Sequence, residues 1–231
     1  MADRWLELGR GVFARRHDEL DLTTGLVVGA ERALVIDTRG DEAQGADLAA
    51  AVREVTALPL LVAITHAHFD HAFGTSAFPG SPVYAQAGCP GALVATTAVQ
   101  RAEWVRHYRD TGAPATAEAL RRTVPVLPDR PVRDALTLDL GGRVVELVHP
   151  GPGHTGHDLA VDVPDAGVLF AGDLLENGAP PSYGPDAYPS CWPDAVAALL
   201  ARPAGVFVPG HGDPMTRAEA TAQHAELMRR R

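Results

Sequence analysis

One six-residue run, His66-Ala67-His68-Phe69-Asp70-His71, constrains this chain more than any other feature. Three imidazoles and a carboxylate crowd into it, directly after an apolar stretch, Leu60–Thr65, that reads as a buried strand. Alternate residues on an extended segment share a side, so His66, His68 and Asp70 are expected to converge while His71 turns toward a neighbouring position. The pattern recurs with single donors. Arg143–Val148 leads into Pro150-Gly151-Pro152-Gly153-His154, Val168–Ala171 into Gly172-Asp173, and Val206–Val208 into Pro209-Gly210-His211. Four apolar strands, each ending in a turn that carries His or Asp, demand a sheet-based fold whose strand ends meet at one edge.

The rest of the chain supplies such sheets. Trp5–Leu8, Val12–Arg16, Gly25–Gly29 and Ala33–Asp37 read as short strands, with turns at Gly9-Arg10-Gly11 and Gly29-Ala30-Glu31-Arg32. Pro82–Ala85 and Leu159–Val163 read the same way, and Leu136–Leu140 pairs with Arg143–Val148 around Gly141-Gly142. Helices are expected over Asp41–Thr56, Pro90–Arg109, Pro193–Ala201 and Pro214–Arg230, and a proline-rich connection over Thr123–Pro131. With no linker and no solenoid repeat, residues 1–231 read as a single domain. Two sheets packed face to face with helices outside would bury all of the apolar positions.

Composition narrows the function classes. Twenty Lys and Arg against 29 Asp and Glu give a net charge of −9, which argues against a nucleic-acid partner, since phosphate neutralisation needs a basic surface. No apolar stretch reaches the length of about 20 residues that spans a bilayer, so no membrane partner is expected. Met1–Arg10 has no apolar core of a signal peptide, and two cysteines, Cys89 and Cys191, suit a reducing compartment. A cytoplasmic location is the expectation.

The strand-end donors number five imidazoles and two carboxylates. A tetrahedral zinc takes about four ligands, so seven donors suit two ions that share a carboxylate. Nitrogen and oxygen donors without thiolate fit two Zn²⁺ per chain, with Fe or Mn as competitors. His149 reads as a strand-end side chain and His157 as a support for a ligand, and neither joins the metal set. His17, His107 and His224 read as surface residues and the cysteines as small packing residues. There is no Gly-x-Ser-x-Gly elbow to supply a serine nucleophile.

The run His66-x-His68-x-Asp70-His71, followed in order by His154, Asp173 and His211, resembles the metallo-β-lactamase superfamily over nearly the whole chain. The resemblance implies a four-layer αββα sandwich of the α/β (α+β) class, with two mixed sheets and helices on the outer faces. It implies that His66, His68 and His154 hold a first metal, that Asp70, His71 and His211 hold a second, and that Asp173 bridges them. It implies a hydrolase in which a metal-bridging hydroxide attacks a carbonyl and Asp70 orients it as the catalytic carboxylate. The Asp70-His71 pair with bridging Asp173 is similar to the glyoxalase II and lactonase arrangement, pointing to a small-molecule ester, thioester or lactone. Little chain follows Pro209-Gly-His-Gly to grip glutathione.

A β-lactam amide is the alternative substrate. Pro-Gly-Pro-Gly-His-Thr at 150–155 resembles the secreted zinc lactamases, although those commonly carry a thiolate or serine where Asp173 stands and a lysine where this chain has Glu176. Phosphodiesterase and iron-oxygenase relatives are the remaining readings. The aromatics of the following loop, Tyr183, Tyr188 and Trp192, are the candidate substrate contacts.

Overall fold

The structure is a computed structural model describing residues 4–230. Its first sheet runs, in chain and spatial order alike, β1 (Trp5–Gly9), β2 (Val12–Arg16), β3 (Thr23–Val28), β4 (Ala33–Ile36), β5 (Leu60–Ala63), β6 (Val83–Gln86) and β7 (Arg130–Val132). Strands β1 to β4 pair antiparallel and β4 to β7 parallel. Parallel neighbours need crossovers, and helices fill them. These are α1 (Glu42–Val55), the single turn α2 (Phe69–Ala72), α3 (Cys89–Asp110) and α4 (Pro114–Arg122). The second sheet places β8 (Ala135–Asp139), β9 (Val144–Val148), β10 (Ala160–Val163), β11 (Val168–Glu176), β12 (Val206–His211) and β13 (Met215–Thr216) side by side. Its one parallel pair is β11 with β12, joined through α5 (Trp192–Leu200); α6 (Arg217–Arg229) closes the chain.

The layers follow from strands buried on both faces. In β4 and β5, Val35 and Val62 face the helices while Leu34, Ile36 and Leu61 face the second sheet. In β11, Phe170 faces inward and Leu169 faces α5 and α6. Three apolar layers result. Leu48 and Val52 of α1, Leu93 of α3 and Leu120 of α4 seal the first sheet. Val27, Leu34, Leu147, Val161, Phe170 and Val208 fill the space between sheets. Phe207 meets Val196, Leu199 and Leu227 on the far side. Each fully buried side chain of this size contributes about 2 kcal/mol relative to exposure. The fold is therefore two mixed sheets between helices, as the resemblance implied. Two helices carry side-chain N-caps: the Asp41 carboxylate accepts from the Gln44 amide, and Thr216 with Glu219 forms a reciprocal box.

One helix is added and three local expectations are corrected. Residues 114–122, which carried no assigned element, form α4, a short amphipathic helix that opens on Pro114 and buries Ala117 and Leu120. The expected connection over Thr123–Pro131 ends in an edge strand, where Pro131 costs no ladder bond it could have donated. Strand β11 does not stop at Ala171 but continues through Asp173 to Glu176, bulging at Gly172. The last helix begins at Arg217, because Met215–Thr216 first pairs with β12. Among the described residues no helix is long and apolar enough to cross a membrane.

Candidate metal centre

The C-terminal ends of β5, β11 and β12 lie at one edge of the two sheets, and the strand-end donors meet there. His66, His68, His154 and Asp173 form one group and Asp70, His71 and His211 another; within each group the donor atoms lie within 4.8 Å of one another. Asp173 belongs to both in distance. Its Oδ2 is 3.3 Å from His154 Nε2, 3.7 Å from His66 Nε2 and 3.4 Å from His211 Nε2, and its Oδ1 is 3.1 Å from His71 Nε2. Asp70 Oδ2 stands 3.4 Å from His211 Nε2 and 3.7 Å from His71 Nε2.

The partition corrects the alternation argument. The extended segment ends at His68, and α2 turns the backbone through Phe69–Ala72. Asp70 therefore leaves the His66–His68 side and joins its neighbour His71. Glycine makes the close approaches possible. A Cβ on Gly210 would lie 1.8 Å from Asp173 Oδ1, and Gly172, at φ +54°, would press one against Thr65 at 2.8 Å.

Each imidazole is oriented from behind. His211 Nδ1 donates to the Leu20 carbonyl at 2.8 Å and His154 Nδ1 to the Ser182 carbonyl at 3.1 Å. His71 Nδ1 donates to Asp37 Oδ2 at 2.8 Å and His68 Nε2 to Asp186 Oδ2 at 3.1 Å. The Thr65 hydroxyl donates to Asp37 Oδ2 at 2.9 Å, which leaves its oxygen to accept from His66 Nδ1 at 3.0 Å. With every outer nitrogen donating, every inner nitrogen of a neutral ring carries a lone pair. Two such pairs face each other: His154 Nε2 and His68 Nδ1 at 3.0 Å, and His71 Nε2 and His211 Nε2 at 3.3 Å.

Opposed lone pairs at that distance need a cation between them, a proton or a metal ion. The surrounding charges favour a cation there: although burial opposes it, the charges of Asp173 and Asp70 push His211 up to about 10. His71 is likewise raised well above its usual range despite burial. Burial, aided by the charges of His71, His68 and His154, holds His66 well below the imidazole range. Burial also takes His154 down to about 4. Asp173 stays ionised although buried, because four imidazoles surround it. His66 Nε2 and Asp173 Oδ1 are buried and lack a hydrogen-bond partner. A donor set with orphaned, inward-aimed lone pairs fits metal ions.

The backbone behind the second group is strained. Among the described residues, the non-glycine positions at positive φ are Leu20, Asp21, Asp37 and Arg39. Leu20 and Asp37 are the partners of His211 and His71, so left-handed backbone at a bulky and a carboxylate residue aims these two imidazoles. Sequence reasoning missed Asp37, Thr65, Ser182 and Asp186. Asp37 had a signal, since it ends the apolar strand beside β5 just as Asp173 interrupts β11.

The remaining candidates divide. Tyr183 and Tyr188 are exposed on the segment between Asn177 and Cys191. Trp192 has no exposed surface: its Nε1 donates to the Leu174 carbonyl and its ring packs edge-on against His154 at 5.4 Å, so it supports the site and cannot reach a substrate directly. His157 is buried and its Nε2 accepts from the Ala67 amide at 3.2 Å, steadying the segment between His66 and His68. His149 Nδ1 donates to the Asp158 carbonyl. His17 is not on the surface; it is buried, with Nε2 3.0 Å from the Thr24 hydroxyl. His107 is exposed and Cys89 is buried as expected. Glu176 is buried and pushed up to about 7, by burial first and by the Asp173 charge second.

A four-layer αββα sandwich with a histidine- and aspartate-lined cation site at one sheet edge defines a class of metal-dependent hydrolases. The chain belongs to the metallo-β-lactamase superfamily, whose family model matches residues 18–211. It is 28% identical over 162 residues to the acyl-coenzyme A thioesterase MBLAC2 of Gallus gallus, covering 67% of this chain and 57% of that protein. It is 32% identical over 99 residues to the type 2 metallo-β-lactamase of Bacteroides fragilis, 41% of this chain and 39% of that one. A type 2 metallo-β-lactamase of Bacillus sp. (strain 170) is 26% identical over 214 residues, 90% of this chain and 72% of that one. The fold matches a metallo-β-lactamase from Pontibacter korlensis with a TM-score of 0.75 at 21% identity, covering 97% of this chain and 98% of the other.

Proposed function

We propose that this protein is a dinuclear zinc hydrolase that cleaves an ester, thioester or lactone bond of a small organic molecule. His66, His68 and His154 would hold one ion, Asp70, His71 and His211 the other, and Asp173 both. The observation that carries the reading is the set of inward lone pairs around Asp173, five imidazoles whose outer nitrogens are all already committed. Bound there, the ion pair supplies a water acidified toward neutral pH and a Lewis acid for the carbonyl oxygen.

The protein's own groups do the rest. Asp70 lies at the second group with its Oδ2 toward His211, where it orients the attacking water and carries the proton to the leaving atom. Asp37 and the Leu20 carbonyl fix the planes of His71 and His211, so the ligands need no rearrangement as charge develops. Tyr183 and Tyr188 offer amphipathic surface to an organic substrate at the rim. The thioesterase relatives support the acyl class. The long alignment to a β-lactamase supports a second reading, hydrolysis of a β-lactam amide by the same attack. Against it stands Glu176, whose buried carboxyl is a poor neighbour for a drug carboxylate.

The test is a substrate panel on zinc-loaded protein: acyl-coenzyme A thioesters, lactones, aryl esters, a chromogenic cephalosporin and a phosphodiester. Turnover of acyl substrates, lost in Asp70→Asn, is the expected result. Turnover of the phosphodiester alone overturns the reading.

A further inference from the structure

The two groups of donors are supported by different parts of the molecule. Behind His71 and His211 stand Asp37 and Leu20, both on segments that follow or join strands of the first sheet. Behind His68 and His154 stand Asp186 and the Ser182 carbonyl, and both belong to one segment, residues 177–191, that lies outside helix and strand. Of the three imidazoles in the first group, His66 is the one backed by the body, through Thr65, and Asp173 lies within β11.

That segment is held over the site by a handful of polar contacts. The Ser182 amide donates to Glu176 Oε1 at 2.9 Å while its carbonyl receives the His154 Nδ1 hydrogen. The Tyr188 amide donates to the Gly153 carbonyl at 2.8 Å, next to His154 in sequence. Asp186 reaches His68 from a half-exposed position. Tyr183 rests on Trp192 with ring centroids 5.0 Å apart. Two of the polar contacts end on rings that would ligate the first ion, so docking of the segment and orientation of those rings are one event.

We infer that residues 177–191 are a working part of the first cation site, with Asp186 as the positioning residue of His68. Filling that site orders the segment, and undocking the segment empties the site, whereas the second site is built into the sheet. The coupling is reciprocal by linkage. A hydrogen-bonded partner behind a ligand typically changes metal affinity tenfold to a hundredfold. The inference rests on the two-ion reading above.

The experiment titrates Co²⁺ into metal-free protein against a competing chelator while the visible spectrum is recorded. Wild type takes two equivalents. Asp186→Ala keeps one at wild-type affinity and weakens the other about tenfold to a hundredfold. The ion it retains gives the spectrum that His154→Ala also retains, and Asp186→Glu recovers part of the loss. In parallel, Co²⁺ protects residues 178–190 of wild type from limited proteolysis and fails to protect them in Asp186→Ala. An Asp186→Ala protein that loses both ions equally, or neither, overturns the inference while leaving the two-ion site intact. A wild type that takes up no Co²⁺ overturns the site itself.

Discussion

Asp37 holds His71 and Thr65 at once. One carboxylate accepts His71 Nδ1–H at 2.8 Å, the Thr65 amide at 2.8 Å and the Thr65 hydroxyl at 2.9 Å, from a residue in the left-handed region at φ 62°. Through Thr65 it also reaches His66, so one buried side chain orients imidazoles of both groups. Asp37→Ala strands these donors inside the protein. The expected cost is about 3 kcal/mol of stability, because buried donors lose a charged acceptor. Urea unfolding of metal-free protein at pH 7 measures it, and a midpoint unchanged from wild type contradicts it.

Gly210 lies against Asp173. A methyl group at residue 210 would sit 1.8 Å from Asp173 Oδ1, and the backbone of β12 is held by its pairing with β11. The carboxylate must move, and it is the donor common to both groups. Gly210→Ala is expected to lower hydrolysis about tenfold to a hundredfold, the range lost when a ligand's support is removed. Far-ultraviolet circular dichroism should be unchanged. Wild-type turnover in this variant would show that Asp173 is not needed where it stands.

His157 gives the metal-free protein an acid-sensitive element. Its pKa is pushed down to about 4, by burial first and then by the charge of His68, from the 6.5 of an ordinary imidazole. Between those values the unfolded chain binds the proton and the folded chain does not. Its contribution is intact above pH 6.5 and is lost as pH falls toward 4, up to roughly 3 kcal/mol at 1.36 kcal/mol per unit. Protonation also removes the acceptor of the Ala67 amide. Urea midpoints of metal-free protein at pH 7 and pH 5 should fall steeply in wild type and less in His157→Gln. Equal slopes would contradict the assignment.

The two thiols should react unequally. Cys89 is fully buried at the start of α3 and burial pushes its thiol up to about 12, whereas Cys191 is half-buried. The thiolate is the nucleophile, so iodoacetamide at pH 8 should label one cysteine in native protein, Cys191, and both in urea. Peptide mapping reads the site directly; native labelling of Cys89 would contradict the packing around α3.

What the sequence disclosed and what it withheld have physical reasons. Apolar runs buried on both faces, such as Leu60–Ala63 and Ala33–Ile36, carry their signal in consecutive residues, and their bounds are nearly right. The donors at 66, 68, 154 and 211 follow such strands, so their meeting at one edge was legible from recurrence. Asp70 fell on the wrong side because a single helical turn, set by its place between sheet and α3, leaves no periodic trace. Asp186 and Ser182 were invisible because a segment without regular structure has no spacing rule; only the folded chain brings residue 186 to residue 68. His17 was misplaced because its polar neighbours at 15–19 say nothing of the strand β3 that covers it.

The metal content of the purified chain, loaded with excess zinc and then desalted, bears on the central claim most directly. Two equivalents of zinc per chain is the predicted value, falling by one in His211→Ala. One equivalent or none in the wild type would contradict a paired-ion centre built from these seven side chains.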